Sequence, residues 1–171
     1  MDSNSEHRSL SPGKGLIILV CIIIGVGAYI GLGTALGIVP LYAGFAFSLY
    51  FGGMKGSDPR ELPAALVGSL GGLLTAALLH LLPQQFGTAG LVVALALILA
   101  AIYALVMGWA TILVNNAFML MLTIGTIPPV QAVGDFTGMA FSVLLAGAMM
   151  GLLLLVGGLM ATRAKKTADA L

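Results

Sequence analysis

All seven lysines and arginines of this 171-residue chain stand outside its apolar runs. Arg8 and Lys14 precede the first run, Lys55 and Arg60 occupy a mid-chain loop, and Arg163, Lys165 and Lys166 follow the last. A cation at the centre of a bilayer costs roughly 2.5–3.5 kcal/mol on insertion scales, and loops rich in lysine and arginine stay in the cytoplasm. Flanking cations therefore mark where the runs end and which side those ends keep. Only a threading that holds the three basic groups in one compartment satisfies that bias.

Composition makes lipid the natural solvent. Hydrophobic residues are 60% of the chain and charged ones 8%, with a mean hydropathy of +1.12, whereas soluble domains carry about 25% charged residues. A net charge of +1 from dispersed cations argues against a nucleic-acid partner, which needs a basic patch. Cys21 has no second cysteine to pair with and reads as a small buried hydrophobe. The apolar stretch from Leu16 to Leu32 is longer than a signal h-region of about 7–15 residues and precedes no small-residue cleavage motif, so it is expected to remain as a span.

Length then divides the chain. Residues 1–14 read as a disordered cytoplasmic tail and 163–171 as a basic cytoplasmic one. As one helix, residues 15–54 would extend about 60 Å at 1.5 Å per residue, twice the hydrocarbon core. The stretch must fold back near Gly33, Gly37 and Pro40. Residues 88–127 must reverse for the same reason, near Gly108 and Trp109. The expected spans are 15–33, 38–54, 61–82, 88–107, 110–127 and 136–162, an all-α polytopic membrane bundle of six transmembrane helices with both termini cytoplasmic. Asp58 reads as the cap of the third span, accepting from the amide of Glu61 with Pro59 at the first helical position, and Asp135 as the cap of the sixth.

The halves resemble each other. Gly44-Phe45-Ala46-Phe47-Ser48, Asp58 and Gly68-Ser69-Leu70-Gly71-Gly72 have counterparts in Asn116-Ala117-Phe118-Met119, Asp135 and Gly147-Ala148-Met149-Met150-Gly151. The offset drifts from about 71 to 77 residues. Three spans per half would orient the halves oppositely, a 3+3 inverted repeat of the kind many transporters use. The 24 glycines fall into small-residue faces: Ala64, Gly68, Gly72 and Ala76 are each four apart, and Gly147 and Gly151 form another pair. Such faces let helix backbones approach closely, within one bundle or between copies in a homo-oligomer.

No Asp, Glu, Lys or Arg interrupts a span, which disfavours an ion-coupled pump and any enzyme that needs a carboxylate pair at membrane depth. His80 lies near Pro83 at the outer interface and reads as an interfacial histidine. No motif suggests a cofactor, and the methionines lack the Cys or His neighbours of a soft-metal site. What remains is uncharged polarity: Tyr42 and Ser48 in the second span, Thr111, Asn115 and Asn116 in the fifth. An amide in hydrocarbon must find partners or cost several kcal/mol, on the order of 2–7. These five residues would either line a path for a small neutral solute or hydrogen-bond between helices.

At Pro40-Leu41-Tyr42-Ala43-Gly44-Phe45-Ala46-Phe47-Ser48-Leu49-Tyr50-Phe51-Gly52-Gly53 the chain resembles the DUF1097 family of small bacterial inner-membrane proteins. The shared pattern is an aromatic-rich second span ending in a glycine pair, then a loop and a glycine-rich span, here 68–72. Tyr42 stands where that family tends to carry tryptophan. The resemblance implies a location in the bacterial cytoplasmic (inner) membrane and transfers no site residue. The sequence thus leaves two expectations, a channel or facilitator for a small uncharged solute and a non-transporting subunit that binds partner helices through its glycine faces.

Overall fold

The structure, a computed structural model, describes residues 12–168; of the expected tails 1–14 and 163–171, residues 1–11 and 169–171 lie outside it, whereas 12–14 and 163–168 are helical. The described chain is all-helical. Its elements are α1 (Pro12–Ala35), α2 (Tyr42–Leu49) running into a π-helical turn (Tyr50–Met54), α3 (Leu62–Val106), α4 (Asn116–Gly125), α5 (Pro128–Val133) and α6 (Phe136–Ala168). Three helices are long and apolar enough to cross a membrane: Gly15–Ala35, Leu62–Val106 and Phe136–Met160. Helices dominate because hydrocarbon offers backbone N–H and C=O groups no partner but each other.

The second of these, α3, is bent double. Gly87 has φ 58° and ψ −137°, which breaks the helix. Gly90 then packs against the carbonyl of Leu82 and the ring nitrogen of Pro83. Leu105 consequently ends up lining the same pocket as Ala64, so residues 62–86 and 88–106 run antiparallel. The stretches expected as the third and fourth spans, 61–82 and 88–107, fall on these two helical arms.

The expected second and fifth spans are shorter than predicted. The helical part of one is Tyr42–Met54, and of the other Asn116–Gly125, about 20 and 15 Å at 1.5 Å per residue against a core of about 30 Å. Pro40 stops α2 from extending backward, and Ala110 takes φ 50° ahead of α4, where no right-handed helix can form. Another difference concerns the start of α3. Asp58 Oδ1 accepts from the amide of Arg60, 2.9 Å away, rather than from Glu61, and Glu61 instead pairs with Lys55 at 2.9 Å. Pro63 rather than Pro59 occupies the first turn, because Ser57 and Gly56 both take positive φ and delay the helix.

Packing follows two parallel pairs. Along α4, Asn115 meets Gly68, Phe118 meets Gly72 and Gly125 meets Ala76, so α4 lies parallel to the first arm of α3. The stripe Ala64, Gly68, Gly72 and Ala76 is used inside the chain. Along α2, Gly44 meets Ser142, and Gly52 and Gly53 share a groove with Met149 and Leu153, so α2 lies parallel to α6. The two long helices cross these pairs antiparallel, with Leu66 on Gly147 and Leu62 beside Gly151. Phe47, Phe51, Met121, Met139 and Val143 fill the centre. The start of α1, the Lys55–Glu61 loop and the later turns of α6 all lie at one end.

Two buried serines sit in this core in different states. Ser142, fully buried, bonds to Tyr29, Gly44 and Leu41. Ser69, 1% exposed, has the one buried side-chain polar atom without a partner among the described residues. Removing an orphaned polar atom relieves a penalty, whereas removing a satisfied one strands its partners. Ser69→Ala is therefore expected to be neutral or stabilising by up to about 1 kcal/mol, and Ser142→Ala to cost about 1–3 kcal/mol. Unfolding in mixed detergent checks the pair, and Ser69→Ala proving the worse of the two would contradict this packing.

Candidate functional site

The end that holds Lys55 also contains a polar pocket of about 400 Å³, lined by Tyr50, Lys55, Arg60, Glu61, Thr111 and Asn115, with Asn116 beside them. That volume lies within the range of about 300–1,000 Å³ seen for small-ligand sites. Three local features build it. The first is the π-helical turn Tyr50–Met54, in which the amide of Lys55 reaches the carbonyl of Tyr50 at 3.2 Å. Single π turns are frequent at functional sites, and here the extra residue turns Tyr50 toward the pocket. Tyr50 is 3% exposed, yet it lines the cavity.

The second feature is the break before α4. The helix of the preceding arm ends in a Schellman motif: Gly108 takes φ 67°, its amide bonds Leu105 at 3.1 Å and that of Trp109 bonds Ala104 at 2.8 Å. The chain then turns through Ala110 to Asn115, which caps α4. Asn115 Oδ1 accepts from the amides of Ala117 and Phe118 at 3.0 and 3.2 Å. Its Nδ2 donates to the carbonyls of Ala64, Thr111 and Ile112 at 2.8, 3.1 and 3.1 Å. Gly68 makes this possible, since a Cβ there would collide with the Asn115 side chain. Asn115 is thus fully engaged by the protein, while Asn116 and Thr111 line the pocket with no side-chain hydrogen bond to the described chain.

The third feature is the ion pair at the rim. The hydrogen bond that the Lys55 ammonium donates to Glu61 holds it above the usual lysine range, with Tyr50 adding to the shift. Lys55 therefore stays charged at neutral pH, and the pair loosens only as pH rises through that raised value. Both partners are over a third exposed, so the pair adds little stability.

At the opposite end the same construction is closed. The helix α1 ends in a Schellman motif around Gly37, whose amide bonds Thr34 at 3.0 Å while Ile38 bonds Gly33 at 2.9 Å. The chain reaches α2 through Pro40 and Leu41. Tyr29 Oη donates to the Leu41 carbonyl at 2.9 Å and lies 2.7 Å from Ser142 Oγ, which accepts from the amide of Gly44 at 2.9 Å. The Tyr29 ring sits edge-on against Phe45 at 4.9 Å, and Leu41 packs on Gly33. Nearby, Asp135 Oδ1 caps α6 by accepting from the amide of Gly138 at 2.8 Å, and His80 bonds Gln84 at 2.8 Å.

Of the five residues picked from the sequence, Thr111, Asn115 and Asn116 come together in the pocket. Ser48 lies instead on an apolar groove of about 840 Å³ between α1, α2 and α6, which Cys21 also lines. Tyr42 stands at the closed end, where α2 begins. Sequence reasoning passed over Tyr50, Lys55 and Glu61 as site residues, and over the Tyr29–Ser142 pair. Tyr29 is the only polar side chain within the apolar run 16–32 besides Cys21, a signal that could have marked it. No family model, no curated protein and no solved structure matches the chain.

Proposed function

We propose that this chain is an inner-membrane facilitator for a small uncharged polar solute, folded as six crossings in two inverted halves with both termini in the cytoplasm. The observation that carries the reading is a register between the halves. Shifted by 71 residues, Gly37 falls on Gly108, and buried Ala43, Phe47, Tyr50 and Phe51 fall on buried Val114, Phe118, Met121 and Leu122. Shifted by 74, the first residue of α3 falls on that of α6, and Ala65, Gly68, Ser69 and Gly72 fall on Met139, Ser142, Val143 and Ala146, all buried. Under the two shifts the contact between Gly44 and Ser142 maps onto the contact between Asn115 and Gly68. In each half the short helix rests on the other half's long helix. One partner at each contact is a glycine and the other a capping side chain.

Inverted halves with interrupted helices at their interface are a transporter design, and non-helical backbone at membrane depth is tolerated where it is buried or lines a cavity. The pocket supplies neutral donors and acceptors from Tyr50, Thr111 and Asn116. Of its charges, Lys55 and Glu61 are paired at the rim, which leaves exposed Arg60 as the one other charge of its lining. Cytoplasmic placement of that end follows from Lys55, Arg60 and Arg163, and the resemblance to DUF1097 implies the same membrane. Liposomes holding the purified protein should take up labelled small amides or polyols faster than empty ones. Thr111→Val and Asn116→Leu are expected to slow uptake severalfold at unchanged thermal stability. Uptake no faster than in empty liposomes across a panel of neutral solutes would remove the facilitator reading.

The second reading, a non-transporting subunit or homo-oligomer, draws on α1. Gly27 and Gly31 form a G-x-x-x-G pair on a helix with open space around both, a surface suited to a helix from another chain.

A further inference from the structure

We propose that the closed cluster around Tyr29, Leu41, Phe45 and Ser142 is a second site for the same small neutral solute, the mate of the polar pocket, and that the two sites open in turn. The inference rests on the inverted-repeat reading above and turns the facilitator into an alternating-access carrier.

The two ends are built alike and differ in occupancy by their own side chains. Under the register just described, Asn115, Asn116, Ala64 and Glu61 correspond to Gly44, Phe45, Gly138 and Asp135. At each end a short helix starts against the second turn of a long one, with an acidic residue just ahead of that long helix. One end holds about 400 Å³ of space. At the other, the Tyr29 hydroxyl reaches the Leu41 carbonyl and Ser142 beside Gly44, and the Leu41 side chain packs on Gly33. Val114 lines the open pocket, and its counterpart Ala43 is fully buried.

The element that carries the plug is also loosely held. Most of α1 is exposed, and among its described side chains Tyr29 is the one large one that is buried, at 5%. Toward its start, α1 stands away from α2 across the apolar groove. Its counterpart arm, 88–106, instead packs Ile98, Ala101 and Leu105 onto the cluster of Val114, Phe118 and Leu122. Halves that share one plan but adopt two packings can exchange them. If α1 took the seating of the 88–106 arm, Tyr29 would leave Leu41 and Ser142, and the outer cluster would open. The reciprocal movement of the 88–106 arm would close the polar pocket. Ser69, buried in the layer between the ends without a partner, offers a passing solute a hydroxyl there.

Site-directed labelling tests this in a Cys21→Ala background, with Val114→Cys or Ala43→Cys as reporter and a membrane-impermeant maleimide on one side of the vesicle at a time. With the plug intact, Val114→Cys is expected to react from the side of Lys55 and Arg60, and Ala43→Cys slowly from either side. Adding Tyr29→Phe, which keeps the ring and removes the hydroxyl, should raise Ala43→Cys labelling from the far side about tenfold and lower Val114→Cys labelling, as expected for one lost hydrogen bond. Ser142→Ala should act in the same direction, so failure of either variant to fold leaves the other to decide. A rise at Ala43→Cys with Val114→Cys unchanged, or a rise at both, would overturn the paired sites. Val114→Cys reacting only from the side opposite Lys55 would overturn the six-crossing topology, and the second site with it.

Discussion

Gly72→Leu is expected to abolish the folded protein, giving aggregated material in place of a single peak on size exclusion in mild detergent. A Cβ at Gly72 would press on the backbone of α4, against the Phe118 carbonyl and the Leu122 amide nitrogen, the latter at 2.9 Å. Backbone cannot rotate aside as a side chain can, so α4 would have to move off α3 as a whole. Overpacking of a close interface costs about 1–3 kcal/mol even when flexible groups absorb it, and here none are available. Gly147→Ala makes a fair comparison, because its Cβ meets only the end of the Leu66 side chain, and a loss below about 1.5 kcal/mol is expected. Gly27→Ala meets nothing within 4 Å and should leave the monomer's melting temperature unchanged. A monodisperse Gly72→Leu protein with normal melting would mean that α3 and α4 do not pack as described.

That result also bears on what the glycine stripe is for. Its spacing, Ala64 to Ala76 in steps of four, was legible in the sequence, but spacing does not say whether the facing helix belongs to the same chain. Contact with Asn115, Phe118 and Gly125 answers this in favour of α4. Helix ends were legible where chemistry dictates them: Gly37 and Gly108 close Schellman motifs, and Asp135 caps α6. A drift between the proposed halves was legible without its cause. Residues 55–61 join the short helix to the long one in the first half, whereas 126–135 do so in the second and include α5. Those three additional residues carry the offset from 71 to 74, less than the 77 read from the sequence, because Glu61 rather than Asp58 then falls on Asp135.

Other features were beyond a sequence reading for physical reasons. No periodicity across 110–127 announces that Ala110 adopts a left-handed conformation, and Asn115-Asn116 read as polar residues within a span rather than as the point where helix begins. The closed end depends on Tyr29 meeting Ser142 across 113 residues, a pairing no local pattern encodes. Lys55 and Glu61 look like ordinary loop charges until the π-helical turn brings Tyr50 beside them.

Asn115 and Asn116 are adjacent in sequence and similar in chemistry, and they are expected to fail differently. Asn115→Ala removes a helix cap, worth about 0.5–2 kcal/mol, and the hydrogen bond that Nδ2 adds to the Ala64 carbonyl, about 0.5–1.5 kcal/mol more. A total loss of about 1–3.5 kcal/mol is expected, large against a typical stability of about 5–15 kcal/mol, with uptake falling because less protein is folded. Asn115→Ser should recover part of the stability by restoring an oxygen to the amides of Ala117 and Phe118, without reaching Ala64. Asn116→Leu, at a side chain with no hydrogen bond to the described chain, should melt as wild type and lose uptake per folded molecule. Thermal unfolding and uptake normalised to folded protein separate these outcomes. If Asn115→Ala melted normally while Asn116→Leu unfolded, the cap assignment would be reversed. If both variants transported normally, the pocket would lie off the solute's path, and the exposed glycine face of α1 would become the stronger lead to function.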